Sequence, residues 1–166
     1  MTIYLKNNIL NFMIKILFIC HGNICRSPMA EFVMKHLVKS KNLEEHFLID
    51  SKATSTEEIG NPVHRGTTQK LKEENIPLYP HYASQMEKSD YEKYDLIIYM
   101  DRMNYRNILR ITGNDRENKI HSLLEYCGSD REVSDPWYTH NFDQTFEDIM
   151  KGCKALLDYL SSRGQF

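Results

Sequence analysis

The chain has 166 residues, enough for one domain with a single good core. Its 21 Lys and Arg against 23 Asp and Glu leave a net charge of −2, so no global basic field invites nucleic acid. Four cysteines, at positions 20, 25, 127 and 153, do not make the dense disulfide framework of a small secreted protein.

Residues 1–12 precede a second methionine, Met13, and read as an N-terminal extension or as the product of an upstream start codon. The apolar stretch from Ile9 to Cys20 imitates a signal-peptide core, but Lys15 interrupts it and no small-residue cleavage site follows. A cytoplasmic protein with no membrane span is expected, its single domain running over 13–163.

Met13 to Ile19 is an almost wholly apolar run, as in a strand buried on both faces of a parallel sheet. Ser27 and Pro28 form a helix-start signal, Ser as N-cap and Pro at the first helical position. Beyond them Ala30, Val33, Met34, Leu37 and Val38 recur at helical spacing. Phe47 to Asp50 reads as a second strand, Pro62 to Glu74 as a helix opened by proline, and Tyr94 to Met100 as another buried strand. Arg102 to Ile111 is helical and stops at Gly113 and Asn114. Lys119 to Leu124 is the last strand. Phe142, Phe146, Ile149, Met150, Cys153, Leu156, Leu157 and Leu160 then make one unbroken helical stripe, in which Cys153 is plain core. Alternating strands and helices imply an α/β fold with a parallel sheet, whose ligands bind at the strands' C-terminal ends.

The segment from Cys20 to Ser27 lies at such an end. It contains no proline, so every backbone N–H from His21 onwards is free to point inward, and Gly22 and Asn23 tolerate the positive φ that curls such a nest. Inward amides and a helix N-terminus favour a dianion. Arg26 adds a planar fork able to hold two phosphoryl oxygens at once. The same field favours the thiolate of Cys20, and the Ser27 hydroxyl stands where it can hydrogen-bond that sulfur. A Cys-x5-Arg spacing carries little by itself; the preceding strand, the Gly-Asn pair and the Ser-Pro helix start give it meaning. A metal site on Cys20, His21 and Cys25 lacks the paired Cys-x2-Cys spacing. A Walker-type loop is excluded because no Gly-Lys-Ser/Thr follows. Nucleophile and oxyanion cradle in one element point to removal of a phosphoryl group.

An ester so cleaved needs its leaving oxygen protonated. The best acid is Asp135, which Pro136 holds extended, with Trp137 and Tyr138 following to wall a flat ring. Outside this context an Asp-Pro pair is an ordinary turn signal.

The Cys20 loop near the start and Asp135-Pro-Trp-Tyr near the end together resemble the low-molecular-weight protein tyrosine phosphatase family, over about residues 14–163. The resemblance implies a flavodoxin-like, four-stranded parallel sheet with helices on both faces, and a two-step mechanism using no cofactor and no metal. It gives Cys20 as nucleophile forming a phosphocysteine, Asp135 as general acid then base, and His21, Gly22, Asn23, Ile24, Cys25, Arg26 and Ser27 as the phosphate-binding loop. It further implies that Asn23, Ser27, Glu31 and His81 form a network supporting the loop, and that Asp101 and Asn104 belong to a segment abutting the site. Cys25 resembles a partner able to form a reversible disulfide with Cys20 under peroxide. Substrates would be phosphotyrosine proteins or small aryl phosphates, and the enzyme a monomer or weak dimer. Two positions depart from the family: Glu57 stands where an aromatic is common, making that wall with Trp137 and Tyr138 more acidic, and His21 replaces an apolar residue or threonine, either pointing outward or adding pH dependence.

Other activities share this fold. Thioredoxin-coupled arsenate reductases need two more cysteines beside the loop, and the 82–103 region has none. Protein-arginine phosphatases tend to carry threonine where Ile24 stands, and Ile24 favours a flat aromatic ester. A phosphate-binding or sugar-phosphotransfer module would have no use for the acid at Asp135.

Overall fold

The computed structural model describes residues 13–163. The extension assigned to residues 1–12 lies outside them. Four parallel strands, β1 (Ile14–Cys20), β2 (Phe47–Ala53), β3 (Leu96–Tyr99) and β4 (Ile120–Ser122), form one sheet in the order β2-β1-β3-β4. Among the described residues six α-helices accompany it: α1 (Arg26–Ser40), α2 (Arg65–Glu73), α3 (Asp90–Lys93), α4 (Arg102–Thr112), α5 (Pro136–Thr139) and α6 (Phe142–Ser162).

The central strand explains the two-layered core. Alternate β1 side chains face opposite ways, so Ile16 and Phe18 pack with α1 and α6, while Leu17 and Ile19 pack with Tyr91 of α3 and Ile108 of α4. Helices therefore cover both faces of a flavodoxin-like sheet. The chain moves outward from β1 to β2 and then returns to place β3 on the other side of β1. At such a reversal the loops after β1 and β3 part and leave a crevice at their C-terminal ends.

Several boundaries differ from the sequence reading, each for a physical reason. β2 continues through Ser51 and Lys52 to Ala53, because its outer positions are half-buried and alternate with buried ones; polarity there marks a face, not an end. The helix expected from Pro62 begins at Arg65, since Pro62 pairs with Tyr82 in an antiparallel bridge and His64 provides the cap, its Nδ1 accepting from the Gly66 N–H. β4 is only three residues long, because Ser122 and Glu125 close a capping box that turns Leu123–Cys127 into a 3₁₀ turn. Ser27 does not cap α1: Cys25 holds the N-cap position without a side-chain bond, and the Ser27 hydroxyl is committed elsewhere. No helix among the described residues is long and apolar enough to cross a membrane.

Candidate active site

Cys20 ends β1, and its Sγ lies 3.0 Å from the Ser27 Oγ and 3.3 Å from the Asn23 N–H that donates to it. Asn23 shapes the turn. It alone in the loop takes a left-handed φ, of 60°, which asparagine tolerates better than most residues. Gly22 does not share that conformation; a Cβ there would stand 3.2 Å from the Glu58 Cγ, so it serves a close approach.

Asn23 is fully buried and every arm of it is engaged. Its Nδ2 donates to Ser27 Oγ and Ser51 Oγ, both at 2.9 Å, and its Oδ1 accepts from the Ser84 N–H at 3.1 Å. Its carbonyl accepts from His81 Nε2 at 3.0 Å. Ser51 passes the chain on, donating to Glu31 Oε1 at 2.7 Å, and Lys35 pairs with the other Glu31 oxygen. The structure thus gathers Asn23, Ser27, Glu31 and His81 into one network. Ser51 and Ser84 belong to it too, and nothing in their local sequence announces that.

Arg26 is buried, and its fork is spoken for on several sides. Nη1 donates to Asp101 Oδ2 at 2.7 Å and to the Val133 carbonyl at 2.9 Å, while Nη2 lies 3.3 Å from Asp135 Oδ2. Burial alone would lower the guanidinium, but the Cys20 sulfur, Asp135 and Asp101 outweigh it and push it up, so Arg26 is a fixed cation. Asp101 and Asn104 form a reciprocal capping box at the start of α4: Asn104 Oδ1 accepts from the Asp101 N–H, and the Asp101 carboxylate accepts from the Asn104 N–H. That box aims the second Asp101 oxygen at Arg26. Asp135 is extended, as Pro136 requires, and its Oδ1 accepts from the Trp137 N–H at 3.0 Å.

A cleft of about 350 Å³ is lined by Cys20, His21, Gly22, Ile24, Cys25, Arg26, Asp135, Trp137 and Tyr138, with Glu57 and Glu58 across from them. His21 points outward to the rim, where its Nε2 meets Glu57 Oε2 at 3.0 Å. The two departures noted in the sequence therefore answer each other as one exposed pair. Cys25 is buried beneath; burial first, then the Cys20 sulfur and Asp135, pushes its thiol up to about 12. Cys153 lies fully buried in the core with α1 and α6, as its helical stripe required. Among the described residues no three His, Cys, Asp or Glu side chains gather as a metal ion would need.

The chain is similar to known proteins in sequence and fold. The family model for low molecular weight phosphotyrosine protein phosphatase matches residues 15–165. The low molecular weight protein-tyrosine-phosphatase YfkJ of Bacillus subtilis is 39% identical over 155 residues, 92% of this chain and 99% of the relative. Its crystal structure superposes with a TM-score of 0.88, covering 91% of this chain and 96% of that one. The low molecular weight protein tyrosine phosphatase SP-PTP of Streptococcus pyogenes follows at 41% identity and a TM-score of 0.79, over 89% of this chain and 93% of its own. DARP, a Drosophila arginine phosphatase, is 28% identical with a TM-score of 0.81, over 89% and 98%. With the family model spanning nearly all of the chain and relatives alike along almost their whole length, the protein belongs to the low molecular weight phosphotyrosine protein phosphatase family.

Proposed function

We propose that residues 13–163 form a single catalytic domain that hydrolyses phosphotyrosine and small aryl phosphates through a phosphocysteine. The observation that carries the reading is the meeting of Cys20, Arg26 and Asp135 in one cleft, from the ends of β1 and of the segment before α5. The Cys20 thiolate attacks phosphorus in line; the S–P bond forms as the ester oxygen leaves with the proton of Asp135. Asp135, now a carboxylate, takes a proton from water, whose oxygen attacks phosphorus and returns the sulfur as thiolate. The Ser27 Oγ beside Sγ stabilises that leaving sulfur. The Arg26 cation and the loop amides hold the equatorial phosphoryl oxygens in both steps.

Exposed Trp137 and Tyr138 on one wall suit a flat aromatic ester, and Ile24 adds an apolar contact. The likeness to an arginine phosphatase makes phosphoarginine the second substrate to try. A reducing cytoplasm is the compartment that keeps such a thiol usable.

The test is p-nitrophenyl phosphate hydrolysis with chelator present, by the native chain and Cys20→Ser, with phosphotyrosine and phosphoarginine peptides alongside. Activity abolished by the serine change, with a phosphoryl adduct of Cys20 in acid-quenched native enzyme, is expected. Equal activity of the two proteins refutes the mechanism, and turnover of phosphoarginine alone refutes the substrate class.

A further inference from the structure

The acid at Asp135 is held from two sides, and the second side involves a histidine that the mechanism above does not use. Before Asp135, Val133 donates its N–H to the Met100 carbonyl at 2.9 Å and accepts from Arg26, and Thr145 Oγ1 donates to the Ser134 carbonyl at 3.2 Å. After it, the tether is Trp137, whose N–H holds the Asp135 carboxylate at 3.0 Å. Its other oxygen faces Arg26 at 3.3 Å, so the carboxyl is set between the Arg26 fork and the backbone of Trp137.

The Trp137 indole, half exposed, meets the His64 ring edge-on, with centroids 6.0 Å apart and planes at 76°. His64 in turn lies flat on Phe142, at 5.5 Å and 12°. Phe142 opens α6 and sits over Gly66, where any Cβ would overlap its ring. The imidazole has little freedom, because its Nδ1 accepts from the Gly66 N–H at 3.0 Å as the cap of α2, which places the ring proton on Nε2. Its backbone N–H donates to the Ile24 carbonyl at 2.8 Å, inside the phosphate loop. One residue thus touches the loop that binds phosphate, the start of α2, the start of α6 and the tryptophan beside the acid.

We propose that His64 is a positioning residue for the general acid: its ring, backed by Phe142 and locked by the α2 cap, holds Trp137 and through it the Asp135 carboxyl in register with the phosphate loop. The inference rests on the reading of Asp135 as the acid. A displaced acid fails most where the leaving group most needs its proton.

The experiment compares kcat/KM for phenyl phosphate and 2,4-dinitrophenyl phosphate in the native chain, His64→Asn, Trp137→Ala and Asp135→Asn. Asparagine keeps an acceptor for the α2 cap and removes the ring. His64→Asn should lose about tenfold on phenyl phosphate and under about twofold on the dinitrophenyl ester. The emission of Trp137, the single tryptophan of the chain, should shift to the red as its ring is released. Trp137→Ala leaves His64 and its cap in place and should steepen the leaving-group dependence in the same sense, which decides the matter if His64→Asn does not fold. Equal losses on the two esters in these variants, or unchanged emission in His64→Asn, overturn the inference while Asp135→Asn still steepens the dependence. Equal losses in Asp135→Asn as well remove the acid reading itself, and the inference with it.

Discussion

Replacing Asn23 separates what its side chain does from what its backbone does. The side chain is fully buried and makes three hydrogen bonds, to Ser27, Ser51 and the Ser84 N–H, at 2.9, 2.9 and 3.1 Å. At about 1 kcal/mol net for each, losing them costs about 3 kcal/mol. Asn23→Gly removes these bonds but keeps the left-handed φ of 60° free of strain. Asn23→Ala removes the same bonds and adds a Cβ where φ is positive, so it should be less stable than the glycine variant by about 1 kcal/mol more. That order is the reverse of the usual helix or strand ranking, in which alanine is the better residue. Urea unfolding followed by far-UV circular dichroism reads both quantities. A glycine variant within about 1 kcal/mol of the native chain would refute the network's role, given the bond energies used. An alanine variant as stable as the glycine one would refute the backbone argument. Both changes free the Ser27 hydroxyl from its side-chain partner while the backbone N–H of residue 23 still reaches the Cys20 sulfur, so kcat should fall in both through the misplaced hydroxyl.

Two further outcomes follow from the buried groups. Because burial pushes the Cys25 thiol up to about 12, it is neutral across ordinary assay pH, and its thiolate fraction grows about tenfold per pH unit below that value. After peroxide has converted Cys20 to a sulfenic acid, closure of a Cys20–Cys25 disulfide with loss of water should therefore accelerate between pH 7 and 9; a flat rate, or Cys20 found as sulfonic acid with Cys25 free, argues against that pairing. Tyr94 is buried at the N-terminal end of β3, away from the cleft, and its hydroxyl donates to Asp50 Oδ2 at 2.6 Å. Burial and that carboxylate push its phenol well above the usual range. Tyr94→Phe should cost about 1–2 kcal/mol in chemical unfolding and leave kcat/KM unchanged, and a loss of activity at full stability would contradict the placement.

What the sequence determined by itself is local and contiguous. Cys20, Asn23, Arg26 and Ser27 lie within one turn, so strand, nest and helix start could be read together, and the apolar stripe of α6 declared its buried face. Alternating elements were enough to imply a parallel sheet, because parallel strands need crossovers. Asp135 was legible through the proline that holds it extended. Local rules failed where another partner competed: the Ser27 hydroxyl would cap α1 but is taken by Asn23 and Cys20 of its own loop, and Pro62 would open a helix but meets the distant Tyr82. Only the tertiary structure decided that Ser51 and Ser84 complete the loop's network, that His21 faces Glu57, that Asp101 aims at Arg26, and that His64 lies against Trp137. Those pairs join residues 28 to 75 positions apart, and their meeting is set by the register of β2 and β3 against β1 and by the caps of α2 and α4. A one-residue slip in that register would turn every strand side chain to the opposite face and dissolve them all.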